Sequence, residues 1–186
     1  MPVQPLRRSF TVDEFHRMGE ARVFGEDDRV ELVDGEIAAM TPIGSAHASV
    51  VNRLNRLFWQ RVGEAAIIRV QDPIRLGERS EPQPDLALVR PRPDFYRAAH
   101  PAADAVLLLV EVAETSAEAD RDAKVPLYAR AGILEVWLVD LAAERIEVYR
   151  APSPEGFRDV RALARGEALA PGAFPNAQFP VDDILG

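Results

Sequence analysis

A chain of 186 residues, 47% apolar and 28% charged, can bury one sizeable core, is too short for two ordinary domains, and has too many apolar residues for wholesale disorder. Its net charge of −8 argues against a strong global attraction to nucleic acid, though not against a local basic groove. The absence of cysteine excludes disulfides, thiolate metal sites and a cysteine nucleophile, so any metal needs oxygen or imidazole ligands. No run reaches the roughly 18 apolar residues of a membrane helix, and residues 1–8 lack the apolar centre of a secretion signal. The expectation is a cytoplasmic protein with no membrane partner. Of the 22 basic residues only one is lysine, Lys124, which raises the question of what a compact ammonium does there that guanidinium does not.

Thr11 followed by Glu14 marks a capping box that opens a short helix over residues 9–19. Residues 29–33 and 36–40 read as strands joined by Asp34-Gly35, a dipeptide suited to the positive φ angles of a tight hairpin turn. Val50, Val51, Leu54, Leu57, Phe58 and Val62 recur at helical spacing and predict a helix from Ser45 to Val62, with Ser45 as its cap. Alternating Ile68, Val70, Ile74 and Leu76 predict a strand over 67–76, and Asp85 to Val89 a second one after the break at 77–84.

A proline-bearing excursion over 90–103 precedes Ala105 to Val112, a run apolar on both alternating faces, as in a central strand covered on both sides. Thr115 and Glu118 predict a capped helix ending near Gly132, kinked or restarted by Pro126. Residues 135–140 and 145–149 read as a strand pair, 157–163 as an edge strand, and the proline-bearing tail from Ala170 as an extended wrap. The chain is thus one domain over 1–186. It has a core at 45–150, an N-terminal helix and β-hairpin at 9–41, and a C-terminal strand and tail at 157–186. The element order predicts an α/β (α+β) fold with a central mixed β-sheet flanked by helices.

Three residues in this pattern carry chemistry. Glu111 sits in the strand predicted to be buried on both faces, where an ionised carboxylate costs several kcal/mol unless a cation or hydrogen bonds compensate it; otherwise it protrudes past the sheet into water. Asp85 opens the neighbouring strand directly after Pro84. Two carboxylates about 4.8 Å apart, one strand spacing, favour a cation between them, and Mg²⁺ or Mn²⁺ suits such an oxygen site. Lys124 shares the inward helix face with Leu127, Tyr128 and Ala131, so it either reaches into this site or snorkels to pair with Asp120 four residues earlier.

Pro84-Asp85, Glu111-Val112, the series Asp120, Lys124, Tyr128, Gly132-Ile133, and Glu135-Val136-Trp137-Leu138-Val139-Asp140 together resemble the Uma-two family of restriction-endonuclease-like proteins, within the PD-(D/E)XK nuclease superfamily. Glu31 to Ile37, Met40-Thr41-Pro42 and His47 resemble its N-terminal signature. The resemblance runs over about residues 10–185 and implies a restriction-endonuclease-like core with Asp85 and Glu111 as ligands of Mg²⁺ or Mn²⁺. The superfamily lysine usually stands two residues after the second acid, where this chain has Ala113; the family pattern draws it from the following helix, which maps it onto Lys124. Glu114 stands where related sequences often carry serine.

The chemistry so implied is phosphodiester hydrolysis, with Asp85, Glu111 and Lys124 as the catalytic set. A divalent cation lowers the pKa of bound water and polarises the phosphate, and a lysine orients that water and stabilises the developing charge. Glu31 is a candidate third acid or else an exposed hairpin residue, His47 a candidate ligand or base or else a hydrogen-bonding helix-end residue, and Asp120 an accessory acid. Arg53, Arg56 and Arg61 on the main helix, with Arg75, Arg79, Arg90, Arg92 and Arg97 around the Asp85 strand, offer a basic rim for nucleic acid, DNA being the expected substrate. Cutting both strands of a duplex favours a homodimer. Competing readings are a non-catalytic assembly protein with Trp137, Tyr149 and Phe157 on a dimer surface, and a hydrolase of small phosphoesters. No phosphate loop, dinucleotide glycine pattern, nucleophile elbow or zinc helix is present.

Overall fold

The computed structural model describes residues 8–25, 27–114 and 117–186. Helix α1 (Val12–Glu20) begins at the capping box: the Thr11 side chain accepts from the Glu14 N–H while the Glu14 carboxylate accepts from the Thr11 N–H. Strands β1 (Val30–Val33) and β2 (Glu36–Ala39) form the hairpin. Its turn residues Asp34 and Gly35 take φ of 49° and 80°, the primed geometry whose twist matches that of the strands. Helix α2 (Ser45–Val62) has the predicted bounds and buried stripe. Its cap is one residue earlier than expected: Gly44 is the N-cap and makes no side-chain hydrogen bond, while Ser45 is the first helical residue.

Strand β3 (Ile67–Val70) is shorter than the alternation predicts. The chain leaves the ladder at Gln71, whose φ is 54°, and Ile74 and Leu76 bury themselves from a loop. Strands β4 (Leu86–Val89), β5 (Val106–Ala113), β6 (Glu135–Asp140), β7 (Arg145–Ser153) and β8 (Gly156–Ala164) complete a six-stranded sheet in the order β3-β4-β5-β6-β7-β8. Every neighbouring pair is antiparallel except β5–β6. The crossover between that parallel pair runs through α3 (Ala117–Ala119), a π-helical turn (Asp120–Lys124) and α4 (Val125–Arg130). The expected cap residue Thr115 lies outside the described residues. Pro126 occupies the first turn of α4, where a missing amide donor breaks no helical bond, so the helix restarts there.

The sheet separates two apolar layers. On one side, Val50, Leu54 and Phe58 of α2 pack with Leu86, Leu108, Val110 and Trp137; on the other, Leu127 and Tyr128 of α4 pack with Leu109, Val136 and Leu138. The tail is more ordered than an extended wrap. Strands β9 (Ala168–Leu169) and β10 (Phe179–Pro180) pair, and α5 (Val181–Leu185) buries Val181 and Ile184 in the α2 layer. Phe179 closes a cluster with Phe58 and Trp137, with ring centroids 5.0 to 5.8 Å apart. Trp137 is fully buried and Tyr149 is 8% exposed. These two are core residues and offer no dimer surface.

Removing the Phe179 ring leaves a void between Phe58 and Trp137 and unpins the tail. Phe179→Ala is expected to lower the unfolding free energy by about 3–5 kcal/mol, read from urea denaturation; a loss below about 1 kcal/mol would mean that the tail is not part of the cooperative core.

Candidate functional site

Leu86 stands opposite Val110 in the β4–β5 ladder, and one residue further the same register sets Asp85 opposite Glu111. The Asp85 carboxylate is held from three sides. Its Oδ2 accepts the Val112 N–H at 2.8 Å and lies 2.9 Å from His47 Nε2, while Oδ1 accepts from Gln71 Nε2 at 3.2 Å. Each contact comes from a different element: β5, the first turn of α2, and the residue at which the chain leaves β3. The pleat turns Glu111 toward α4, where the Tyr128 hydroxyl donates to its Oε1.

Lys124 completes the arrangement from the π-helical turn. Its Nζ lies 3.2 Å from Glu31 Oε1 on β1 and 3.5 Å from Glu111 Oε1 on β5, so one ammonium ties the hairpin to the central strand. Glu31 is oriented in turn by the Gln83 N–H, which donates to its Oε2 at 2.9 Å. A single nitrogen faces two acids on separate strands within a narrow space, a task for which a planar guanidinium is poorly shaped. The turn is anchored on its other side by Arg121, which grips Glu147 through two hydrogen bonds of 2.7 and 2.9 Å and Asp140 through one of 2.7 Å. Single π turns within helices recur at functional sites, and here Arg121 holds the turn to β6 and β7 while Lys124 faces the cavity.

Asp85, Glu111, Lys124, Glu31, His47 and Asp120 all line one cavity of about 280 Å³. Both accessory carboxylates and the histidine are therefore brought to the site, and Glu31 is a buried residue. Burial pushes the Glu111 carboxyl up to about 8, with Lys124 opposing the rise and Asp85 adding to it. Burial works against the Lys124 ammonium, but Glu111 and Glu31 outweigh it and raise its pKa. The hydrogen bond to Asp85 raises His47 against the opposing effect of burial. His47 Nδ1 is buried and has no hydrogen-bond partner among the described residues.

Five carboxylates line the cavity (Glu31, Asp85, Glu111, Glu114 and Asp120), against the cations of Lys124 and Arg29. Among the described residues no cluster of three or more acidic or imidazole side chains stands ready to hold a metal ion. The donor set that is present, two oxygen ligands in register within a net negative cavity, fits a hard divalent cation that keeps water in most of its coordination positions.

Sequence reasoning missed Arg29, Gln71 and Gln83, which lie in turns and strand ends with no periodicity to mark them, and treated Tyr128 only as a core-facing residue; its spacing four residues after Lys124 was the available signal. The basic rim is mostly absent. Arg61 pairs with Asp183, Arg75 with Asp13 and Arg92 with Asp94. Arg90, Arg92 and Arg97 follow the C-terminal end of β4, away from Asp85. Arg53 and Arg56 are exposed on α2, and Arg29 is the arginine at the cavity. No helix among the described residues is long and apolar enough to cross a membrane.

A family model, Uma2, described as "Putative restriction endonuclease", matches residues 12–182. The fold is similar to the crystal structure of "a putative nuclease belonging to DUF820" from Anabaena variabilis ATCC 29413, with a TM-score of 0.71 and 16% identity over 95% of this chain and 97% of that one. No curated protein matches the chain.

Burial works to raise the Glu147 carboxyl, but hydrogen bonds from Arg121 and Tyr149 outweigh it and the net shift is downward from 4.5. A carboxyl depressed in the folded state stabilises the protein above its unfolded value and loses that contribution as pH falls through the folded value. Wild-type stability is therefore expected to fall more steeply below about pH 4.5 than that of Glu147→Gln, measured by denaturation across pH. Parallel curves would remove Glu147 from the acid-sensitive set.

Proposed function

Since this chain belongs to the Uma2 family of restriction-endonuclease-like proteins, we propose that it is a metal-dependent endonuclease hydrolysing phosphodiester bonds of DNA in the cavity shared by Asp85, Glu111 and Lys124. The observation that carries this reading is the ammonium of Lys124 held 3.2 Å from Glu31 and 3.5 Å from Glu111, beside a second carboxylate in ladder register. Asp85 and Glu111 would hold Mg²⁺ or Mn²⁺. When bound, such a cation neutralises charge on the phosphate and makes water a better nucleophile.

The chain's own residues do the remaining work. Lys124 donates to the phosphate oxygens on which charge builds in the transition state, and its fixed position between two acids means that little reorganisation is needed at that moment. The Val112 N–H, His47 and Gln71 hold the Asp85 carboxylate in one orientation, and Tyr128 does the same for Glu111. Arg29 is exposed at the cavity wall and its side chain has no ion pair or hydrogen bond with the described residues, which leaves it available for a flanking phosphate. Cleavage of both strands of a duplex calls for two such centres and hence for a homodimer.

Supercoiled plasmid incubated with Mg²⁺ or Mn²⁺ is expected to be nicked by the wild-type protein and not in the presence of a chelator. Lys124→Ala and Lys124→Arg, purified identically, are each expected to lose about 100-fold or more in rate. Equal cleavage by wild type and either variant would sink the assignment, as would no cleavage by any of them. For Arg29→Ala the loss is expected in substrate binding, with KM raised about tenfold and kcat held within about threefold; an unchanged KM would take Arg29 out of the phosphate path.

A further inference from the structure

Strand β8 closes the sheet with an edge nine residues long, whereas the opposite edge strand β3 has four. Long open edges are templates for further pairing, and proteins that stay monomeric usually shorten them, bulge them or interrupt them with proline. β8 is neither short nor interrupted by proline, it keeps one register with β7 apart from the missing Ala151–Arg158 pair, where Ala151 takes a φ of 55°, and no other strand among the described residues bonds its outer side; its charges, Arg158, Asp159 and Arg161, restrict which strand can pair there. At its centre Val160 is 53% exposed, flanked by Asp159 and Arg161, which already face each other at 3.2 Å along the strand.

The order of these side chains selects an occupant. If β8 pairs antiparallel with its own copy about a two-fold axis at Val160, Asp159 falls opposite the partner's Arg161 and Arg161 opposite the partner's Asp159. Val160 then meets its copy on the axis, and Arg158 stands opposite the partner's Ala162. Opposite charges directly across a ladder stabilise it and like charges destabilise it. Axes through Arg158, Asp159 or Arg161 would bring like charges face to face, so the sequence of this edge favours one register. Glu167 already bonds the backbone N–H and carbonyl of Ala164 at the end of the strand; a second copy also satisfies outward backbone groups around Val160, which a side-chain contact on the sheet face would not do.

We propose that β8 is the homodimer interface of this protein, joining two six-stranded sheets into one continuous sheet about an axis at Val160. The pairing depends on the edge strand and not on the chemistry of the cavity, so it is measured without a nuclease assay.

The test is the molar mass of the full chain by size exclusion with light scattering across a dilution series. Wild type is expected to be a dimer. Arg161→Glu sets acids opposite acids and Val160→Lys sets two ammonium groups on the axis. Each is expected to raise the dimer dissociation constant at least about tenfold while circular dichroism shows the fold intact, both positions being exposed. Trp59→Ser, which removes an indole 62% exposed on α2, is expected to leave the constant within about twofold. A monomeric wild type overturns the proposal, and so does a dimer that neither β8 variant weakens or that Trp59→Ser weakens more.

Discussion

Seating a carboxyl in the middle of a sheet that is covered on both faces costs several kcal/mol unless positive charge and hydrogen bonds answer it, and Glu111, 4% exposed, is seated in that way. It is answered from two elements at once: Tyr128 of α4 donates a hydrogen bond, and Lys124 of the π-helical turn brings the charge. Because Lys124 is itself mostly buried, it needs more than one acid, and Glu31 supplies the second from the hairpin. The hairpin, the central strand and the crossover helix are thus joined through one nitrogen. Loss of any member leaves an uncompensated charge away from water.

The geometry around this knot follows from the sheet. An antiparallel β4–β5 pair sets Asp85 across from Glu111, while the parallel β5–β6 pair requires a crossover that returns over the same face. That return path delivers the turn carrying Lys124 to the end of β5, where the two acids stand. Arg121 fixes the far side of the turn to Asp140 and Glu147, so the helical segment is held between two charge networks. On the opposite face of the sheet, α2 and the C-terminal segment build an apolar layer, and α2 turns His47 of its first turn toward the cavity. The difference between the two sides follows the pleat of β5, which sets Glu111 between Leu109 and Ala113 on the α4 face and Leu108, Val110 and Val112 on the α2 face.

The likeness to the Anabaena variabilis crystal structure at 16% identity belongs to the backbone, and family membership rests on the match over residues 12–182. What this protein adds to the common scaffold is local. Ala113 ends β5, and the ammonium that meets Glu111 reaches in from the crossover. Glu114 lines the cavity against Gly44, adding a fifth carboxylate to its negative charge. The free edge of β8 sits at the other extreme of the sheet, so pairing there leaves the cavity open.

Much of this was legible in the residues. The capping box at Thr11, the Asp34-Gly35 turn, the stripe of α2 and the doubly apolar run of β5 are local patterns, set by backbone geometry and burial within a few residues, and all four stand in the structure. The candidate acids and the lysine were legible for a related reason: an ionisable group on an apolar face is anomalous wherever the chain goes. What local pattern does not contain is which distant element answers it. Lys124 reaches beyond its own helix to Glu31 and Glu111, partners on the hairpin and the central strand that helical spacing does not contain. The strand expected over 67–76 ended at Val70, because burial of Ile74 and Leu76 was available against a second layer. Of the arginines around the Asp85 strand, Arg75 pairs with Asp13 of α1 and Arg92 with Asp94 close by in its own segment, while Arg90, Arg92 and Arg97 follow the far end of that strand. The sequence alone determined the elements and the identity of the charged groups, since those depend on residue type and spacing; the tertiary structure decided their partners, since pairing depends on which surfaces the sheet order brings within a few ångströms.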